Sequence, residues 1–158
     1  MGAYIAVTNH QWCCKQRESN NRQCVFWRKN LHFKALSEGD RFYFYSKEEG
    51  ADRKVIGYAH FEEFEINTIQ EAWGKYKTAL GSDSLEESCD AVAAVYKDED
   101  NMRLGCIVLS NPVWTENGIV LSTVGIPYAK GTVAGKTIDE NEDEELSKLI
   151  NGGSHERS

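Results

Sequence analysis

Short apolar runs separated by polar turns dominate the first part of the chain. Ala3–Thr8 and Arg41–Ser46 are rich in aromatic and β-branched residues, which predicts two buried strands. Val55–Ile66 predicts a longer strand, with Gly57 marking a bulge or a close backbone approach. Asn9 follows the first strand directly and precedes a polar stretch, so we expect it to cap a helix over residues 10–18.

Two further helix starts have the pattern of a capping box. Thr68 is followed three residues later by Glu71, and Ser84 by Glu87. In the second helix, residues at helical spacing are predicted to face inward: Cys89, Val92, Ala93 and Tyr96.

The last third of the chain mixes strand and turn signals. Gly105–Ser110 predicts a strand, and Asn117-Gly118 predicts a hairpin turn with residues 119–121 returning. Residues 126–139 are glycine-rich and predict irregular structure. Glu140–Ile150 predicts a final helix, with acidic residues in its first turn where the helix dipole favours them.

The pattern as a whole is about six short strands with two or three helices inserted. It lacks the regular strand–helix alternation of a doubly wound sheet. We therefore predict an α+β fold, a small, partly closed β-barrel with peripheral helices. With 158 residues, 41% of them hydrophobic, the chain can bury a core of its own. We expect one domain over residues 1–150 and a frayed tail over residues 151–158.

Composition favours a cytoplasmic protein. No apolar run approaches the roughly 18 residues of a membrane span, and the first residues lack the pattern of a secretory signal. The five cysteines have no paired spacing, so reduced thiols are expected. A zinc site could be drawn from His10, Cys13, Cys14 and Cys24, but adjacent cysteines chelate one ion poorly, and we predict no metal site.

The net charge of −7 is unevenly distributed. Residues 1–60 carry +4 and residues 61–158 carry −11. The basic residues concentrate between His10 and Lys34, where four aromatic residues are interleaved: Trp12, Phe26, Trp27 and Phe33. Cations for phosphates beside rings for an unstacked base are typical of a nucleic-acid surface. A solvated face beside core aromatic residues is the alternative.

Motifs for phosphate loops, dinucleotides, zinc proteases and serine hydrolases are absent from the sequence. We therefore predict no cofactor and name no catalytic residue from motifs.

The order of segments along the chain resembles the PUA-like EVE family, with the closer likeness to the N-terminal domain of EVE–HNH restriction endonucleases. The segments lie between residues 3 and 150: Tyr4–Trp12, Val25–Trp27, Phe33–Leu36, Val55–Gly57, Ala72-Trp73, Leu104–Leu109 and Gly135–Thr137. The resemblance implies a PUA-like pseudo-barrel. Related domains (EVE, YTH, SRA and ASCH) often bind a modified or flipped base in an aromatic pocket.

The function that this resemblance implies is recognition of a modified base, methylated cytosine in DNA first and RNA second. The domain would be the reading part of a modification-dependent restriction system, with a nuclease domain or subunit as a possible partner. The residues expected to bind the base are Trp27, Tyr128, Asn9, Trp12 and Thr137. Those expected to contact phosphates are Arg28, Lys29, Lys34, Lys130 and Lys136.

Two alternatives stay open. ASCH-type relatives include amidohydrolases that act on acylated nucleosides through a lysine, a carboxylate and a threonine. Here Lys136 and Thr137 with Glu63 or Glu65 would supply those groups. The other alternative is a protein-interaction module with a vestigial pocket, in which the acidic second half is the binding face.

Overall fold

The computed structural model describes residues 2–47, 53–96, 103–127 and 135–155, with side chains described as far as Asn151. The strands within these ranges are β1 Ala3–Val7, β2 Gln23–Arg28, β3 Arg41–Ser46, β4 Lys54–Thr68, β5 Arg103–Ile119 and β6 Gly135–Ile138. The α-helices are α1 His10–Ser19, α2 Ile69–Tyr76, α3 Leu85–Tyr96 and α4 Glu140–His155. Two 3₁₀ turns span Lys77–Leu80 and Leu121–Val124.

The six strands form one sheet in the order β2-β5-β4-β3-β1-β6. Strands β1 and β3 run parallel, and the other neighbours are antiparallel. The long pair β4 and β5 changes register three times, and such bulges increase the local bend of a sheet. Gly57 lies at the first of these points, where an added Cβ would meet the Val113 carbonyl oxygen at 2.4 Å, as the predicted close approach requires.

The sheet curls strongly enough to bring distant strands together. Strands β2 and β3 are three positions apart in the sheet, which is about 14 Å if the sheet is flat. The rings of Phe26 on β2 and Phe42 on β3 nevertheless lie only 5.7 Å apart. The predicted α+β barrel-type architecture with six strands is therefore confirmed, with four α-helices in the described part of the chain.

Both faces of the sheet are buried because neighbouring residues of β3 point to opposite sides. Phe42 and Phe44 pack inside the curl with Trp12. Tyr43 and Tyr45 pack on the other face, against α4. A third cluster joins β2 and β5 to helices α2 and α3. The aromatic run of β3 thus contributes to two of the three cores.

Local capping explains where the helices begin. Asn9 accepts hydrogen bonds from the first turn of α1, and Thr68 and Glu71 form a complete capping box at α2, both as predicted. Ser84 Oγ accepts from the backbone N–H of Glu87 at the start of α3.

The predicted hairpin at Asn117-Gly118 is wrong. Both residues lie within β5, which continues to Ile119 and pairs there with Val55. Three extra residues are accommodated between the Trp114 and Ile119 pairings, so the glycine, at φ 72°, belongs to a bulge. Of the residues expected to return as a strand, Ile119 ends β5 and Leu121 begins the 3₁₀ turn.

Three smaller expectations also need correction. Residues 135–138 were expected to be irregular but form β6, which pairs with β1. Ala93 is exposed, because α3 buries only the narrower face that includes Val92 and Tyr96. Helix α4 continues to His155, beyond the expected end at Ile150, and Asn151 exchanges hydrogen bonds with the Tyr58 hydroxyl.

A polar network attaches α4 to the sheet. The Tyr43 hydroxyl donates to Asp143 Oδ1 at 2.6 Å, and Arg41 Nη1 lies 3.0 Å from Asp143 Oδ2. Burial, together with the bond to the Asp143 carboxylate, raises the pKa of Tyr43 well above its usual range. The phenol therefore remains a donor at any physiological pH.

We predict that Tyr43→Phe lowers the free energy of unfolding by about 1.5–3 kcal/mol, because it removes a hydrogen bond to a charged, partly buried group. Urea unfolding followed by circular dichroism measures the change. Tyr4→Phe is the matched control, since the Tyr4 hydroxyl has no hydrogen bond among the described residues. Equal stability of the two variants would contradict the importance of this network.

Candidate functional site

A cavity of about 520 Å³ opens between the start of α1, the end of β2, the chain after the first 3₁₀ turn and the outer face of α3. Five of the residues singled out from the sequence line this one cavity: Asn9, Trp12, Trp27, Arg28 and Lys29. They are brought together because α1, which follows β1, packs against β2 through Trp12.

The two tryptophans of the cavity have different surroundings. Trp12 is only 8% exposed, and its indole N–H donates to the Val25 carbonyl oxygen at 3.1 Å. Gly81 packs directly on it, at φ +91° and with room for no Cβ. Trp27 is only partly buried, against the cluster of β2, β5 and α3. It lies on strand β2, opposite Cys106.

The cationic side of the cavity is held in place by aromatic rings. The Arg28 guanidinium lies 5.0 Å from the centre of the Phe33 ring, and Lys29 Nζ lies 5.2 Å from that of Tyr96. Arg28 Nη2 donates to the His32 carbonyl oxygen at 2.7 Å, while its buried Nε has no partner among the described residues. Two cations are thus presented at the end of β2.

The side-chain oxygen of Asn9 is already occupied by hydrogen bonds within the protein. Its Oδ1 accepts from the backbone N–H groups of Gln11 at 2.8 Å and Trp12 at 3.2 Å. The side-chain NH₂ has no hydrogen bond within the described residues, so it is the group that can donate to a ligand.

The other predicted site residues lie elsewhere. Lys34 is exposed in the loop between β2 and β3 and does not line the cavity. Lys136 and Thr137 are on β6, where Lys136 Nζ donates to the Pro127 carbonyl oxygen at 2.6 Å and Thr137 pairs with Tyr4. Tyr128 and Lys130 lie outside the described residues.

Lys136 and Glu65, named for the hydrolase alternative, lie on different strands and have other partners. Strand β4, which holds Glu63 and Glu65, is separated from β6 by two strands. Glu65 Oε2 lies 3.3 Å from Lys75 Nζ, and its other oxygen accepts from Tyr76. The expected partnership of Glu65 with Lys136 is therefore replaced by contacts to α2.

One wall of the cavity was missed by sequence reasoning. Glu87, Ala91 and Val95 recur at intervals of four on α3, and Lys15 of α1 lies nearby with its Nζ 2.6 Å from Asp83. The only sequence signal for this wall was the capping pattern at Ser84. That pattern predicts the start of a helix but does not indicate a ligand.

His10 and the cysteines near α1 contact neighbouring side chains. His10 Nε2 lies 3.5 Å from Cys14 Sγ, and its Nδ1 lies 2.9 Å from Ser46 Oγ. Burial raises the pKa of both Cys13 and Cys24 to about 12, which disfavours the thiolate that a metal requires. Across the described ranges, no three His, Cys, Asp or Glu side chains are grouped so that they could hold a metal ion.

Comparison with known proteins gives a match of fold. No protein-family model matches the sequence, and no curated protein matches it either. The crystal structure of ASCH from Zymomonas mobilis superposes with a TM-score of 0.64 at 12% identity, over 93% of this chain and 94% of that one. The chain has an ASCH-like fold.

Structures of two variants of the same Zymomonas protein superpose on this chain equally well. A tyrosine-to-phenylalanine variant gives a TM-score of 0.64 at 12% identity, and a serine-to-alanine variant 0.63 at 13%. Each covers 93% of this chain, and 97% and 95% of its own. The PUA-like fold predicted from the order of segments is thereby confirmed, because ASCH domains are PUA-like.

None of the described helices of this ASCH-like fold is long and apolar enough to cross a membrane.

Thiol reactivity tests the burial pattern around α1. We predict that iodoacetamide at pH 8 labels Cys14 and Cys89, which are partly exposed, and spares Cys13, Cys24 and Cys106, whose pKa values burial raises. Peptide mass spectrometry identifies the labelled sites. All five should react in denaturant. Labelling of Cys13 in the native protein as fast as Cys14 would contradict the packing of α1 on the sheet.

Proposed function

We propose that this protein is a nucleic-acid-binding module, a single domain over residues 1–150, whose cavity receives one base. Trp27 is the stacking surface, and Arg28 and Lys29 contact the flanking phosphates. The observation that supports this most is the convergence of Trp27, Arg28, Lys29 and Asn9 on one cavity. Ring, cations and hydrogen-bond donor are the three components that a captured base needs.

The size of the cavity supports a ligand on the scale of a nucleoside. Its 520 Å³ lies within the range of about 300–1,000 Å³ typical of small-molecule sites. Of its fifteen lining residues, seven are polar or charged, so the walls offer hydrogen-bond partners beside aromatic and aliphatic surface.

Trp27 is a better stacking candidate than Trp12. Trp12 is almost fully buried, its N–H is occupied, and its ring contacts Phe26 and Phe44 at 5.4 and 5.5 Å. It therefore forms the floor of the cavity. Trp27 is partly exposed and lines the same cavity as both cations.

The charge of the protein favours contact with only a short stretch of nucleic acid. With a net charge of −7, the whole molecule repels a polyanion, so attraction has to come from the local cations at the end of β2. Such a site suits a single strand, a loop or an extruded base more than a long duplex.

The finer form of the proposal is a reader of methylated cytosine, flipped from DNA, in a restriction system with a nuclease domain or subunit. Its support is the EVE-like order of segments. The ASCH-like fold favours a less specific form of the proposal, in which RNA or a modified nucleoside is the ligand. Hydrolysis of a modified nucleoside is the second candidate, and the same fold likeness favours it. In the structure, Lys136 donates to the Pro127 carbonyl oxygen and Glu65 pairs with Lys75, so these groups would have to change partners.

We predict that Trp27→Leu weakens binding of a short oligonucleotide at least tenfold, since a ring stacked on a base contributes about 1–3 kcal/mol. Fluorescence anisotropy with a single-stranded RNA, the same DNA strand, and its duplex with cytosine or 5-methylcytosine ranks the ligands. Trp73→Leu is the control, because Trp73 is also partly buried but does not line the cavity. Equal losses in both variants, or binding unaffected by Trp27→Leu, would contradict the proposal.

The salt dependence of binding should identify the phosphate contacts. Lys29→Gln is expected to reduce the slope of log K against log salt by about 0.7 for a single strand. Lys34→Gln removes the same charge outside the cavity and should leave the slope almost unchanged. Titrations at four salt concentrations measure both slopes. An equal reduction by the two variants would mean that the cavity does not determine where phosphates bind.

A further inference from the structure

Two helices of the protein begin with a glutamate that completes a capping box. At α2, Glu71 Oε1 accepts from the Thr68 backbone N–H at 2.9 Å. At α4, Glu142 Oε1 accepts from the Asp139 backbone N–H at 3.1 Å. Both bonds have the reciprocal half, from the glutamate N–H to the capping side chain. In these helices the carboxylate therefore serves the fold.

Helix α3 begins with the same pattern but uses it differently. The backbone N–H of Glu87 donates to Ser84 Oγ at 3.1 Å, so the first half of the box is present. The Glu87 carboxylate does not return the bond, and no hydrogen bond or ion pair joins it to a described residue, although its charge acts on nearby Lys15. It borders the cavity instead.

This carboxylate is out of place in a site for a phosphate-bearing ligand. Every other charged residue that lines the cavity is a cation, and the cation on the α1 side, Lys15, is already paired with Asp83 at 2.6 Å. Beside a phosphate, Glu87 would be repulsive. At the edge of a base, Glu87 would favour a hydrogen-bond donor on the ligand, because an ionised carboxylate only accepts.

We infer that Glu87 determines which base is bound, selecting a base with an exocyclic amino group and rejecting uracil and thymine; the inference rests on the proposed function. Guanine presents two adjacent donors, N1–H and N2–H₂, which match the two oxygens of a carboxylate. Cytosine and adenine each present one amino group. Uracil and thymine present two carbonyl oxygens around a single N–H, and those oxygens repel Glu87.

The shape of the α3 wall agrees with this role. Glu87, Ala91 and Val95 lie at i, i+4 and i+8 and so form one ridge along the helix. The small Ala91 and the 44% exposed Val95 offer apolar surface to the face of a base. Glu87 lies at the end of the ridge, where it would meet the hydrogen-bonding edge of that base.

The test compares four single-stranded pentamers that differ only in a central G, C, A or U, bound to the full chain. For the native protein we expect the G strand to bind about tenfold more tightly than the U strand, as one good two-point contact to a base edge provides. Glu87→Gln should nearly abolish this ratio, since an amide both donates and accepts. Glu86→Gln is the matched control, because Glu86 shares the first turn of α3 but does not line the cavity.

The outcomes separate the inference from the proposal beneath it. Loss of the G-to-U preference in Glu87→Gln alone supports the inference. Binding that depends on Trp27 but shows no preference, or a preference that survives Glu87→Gln, overturns the role of Glu87 and leaves the binding module intact. Absence of binding by all four strands overturns both.

Discussion

The packing of the Trp12 indole is the contact on which the rest of the structure depends. It touches Phe26 of β2 and Phe44 of β3, two strands that would lie far apart in a flat sheet, and it donates to the backbone of β2. The sheet is thereby held in its curl, with α1 across its open edge. Gly81 follows from the same constraint, because any side chain there would enter the indole. The cavity exists where these elements meet, and Trp12 is its floor.

The short strand β2 contributes both to the packing of the cores and to the lining of the cavity. Residues at alternating positions of β2 serve opposite cores: Cys24 and Phe26 face the interior of the curl, while Val25 and Trp27 face α2 and α3. The strand then ends in Arg28 and Lys29, whose long side chains lie along aromatic rings and keep their charged ends at the cavity. Both cations therefore line the cavity at the end of this strand.

Much of this organisation could be predicted from the sequence. Asn9, Thr68 and Glu71 signal helix starts through local hydrogen bonds, which depend on neighbours in the chain, and the structure has them as expected. The turn at Asn117-Gly118 was misjudged because its local preference is overridden by pairing of β5 with β4. The clustering of aromatic and basic residues pointed to Trp27, Arg28 and Lys29. The α3 wall could not be predicted, since it depends on how a distant helix packs over the end of β2, and Lys136 and Thr137 were included on resemblance alone.

The central claim is that nucleic acid binds in the cavity between α1, β2 and α3. Hydrogen–deuterium exchange with and without a saturating single-stranded oligonucleotide tests it most directly, because it maps the contact without any substitution. The account predicts slower exchange at residues 26–29, 80–82 and 87–95, with β6 unchanged. Protection confined to β6 and its neighbour β1, or no protection around α3, would contradict it.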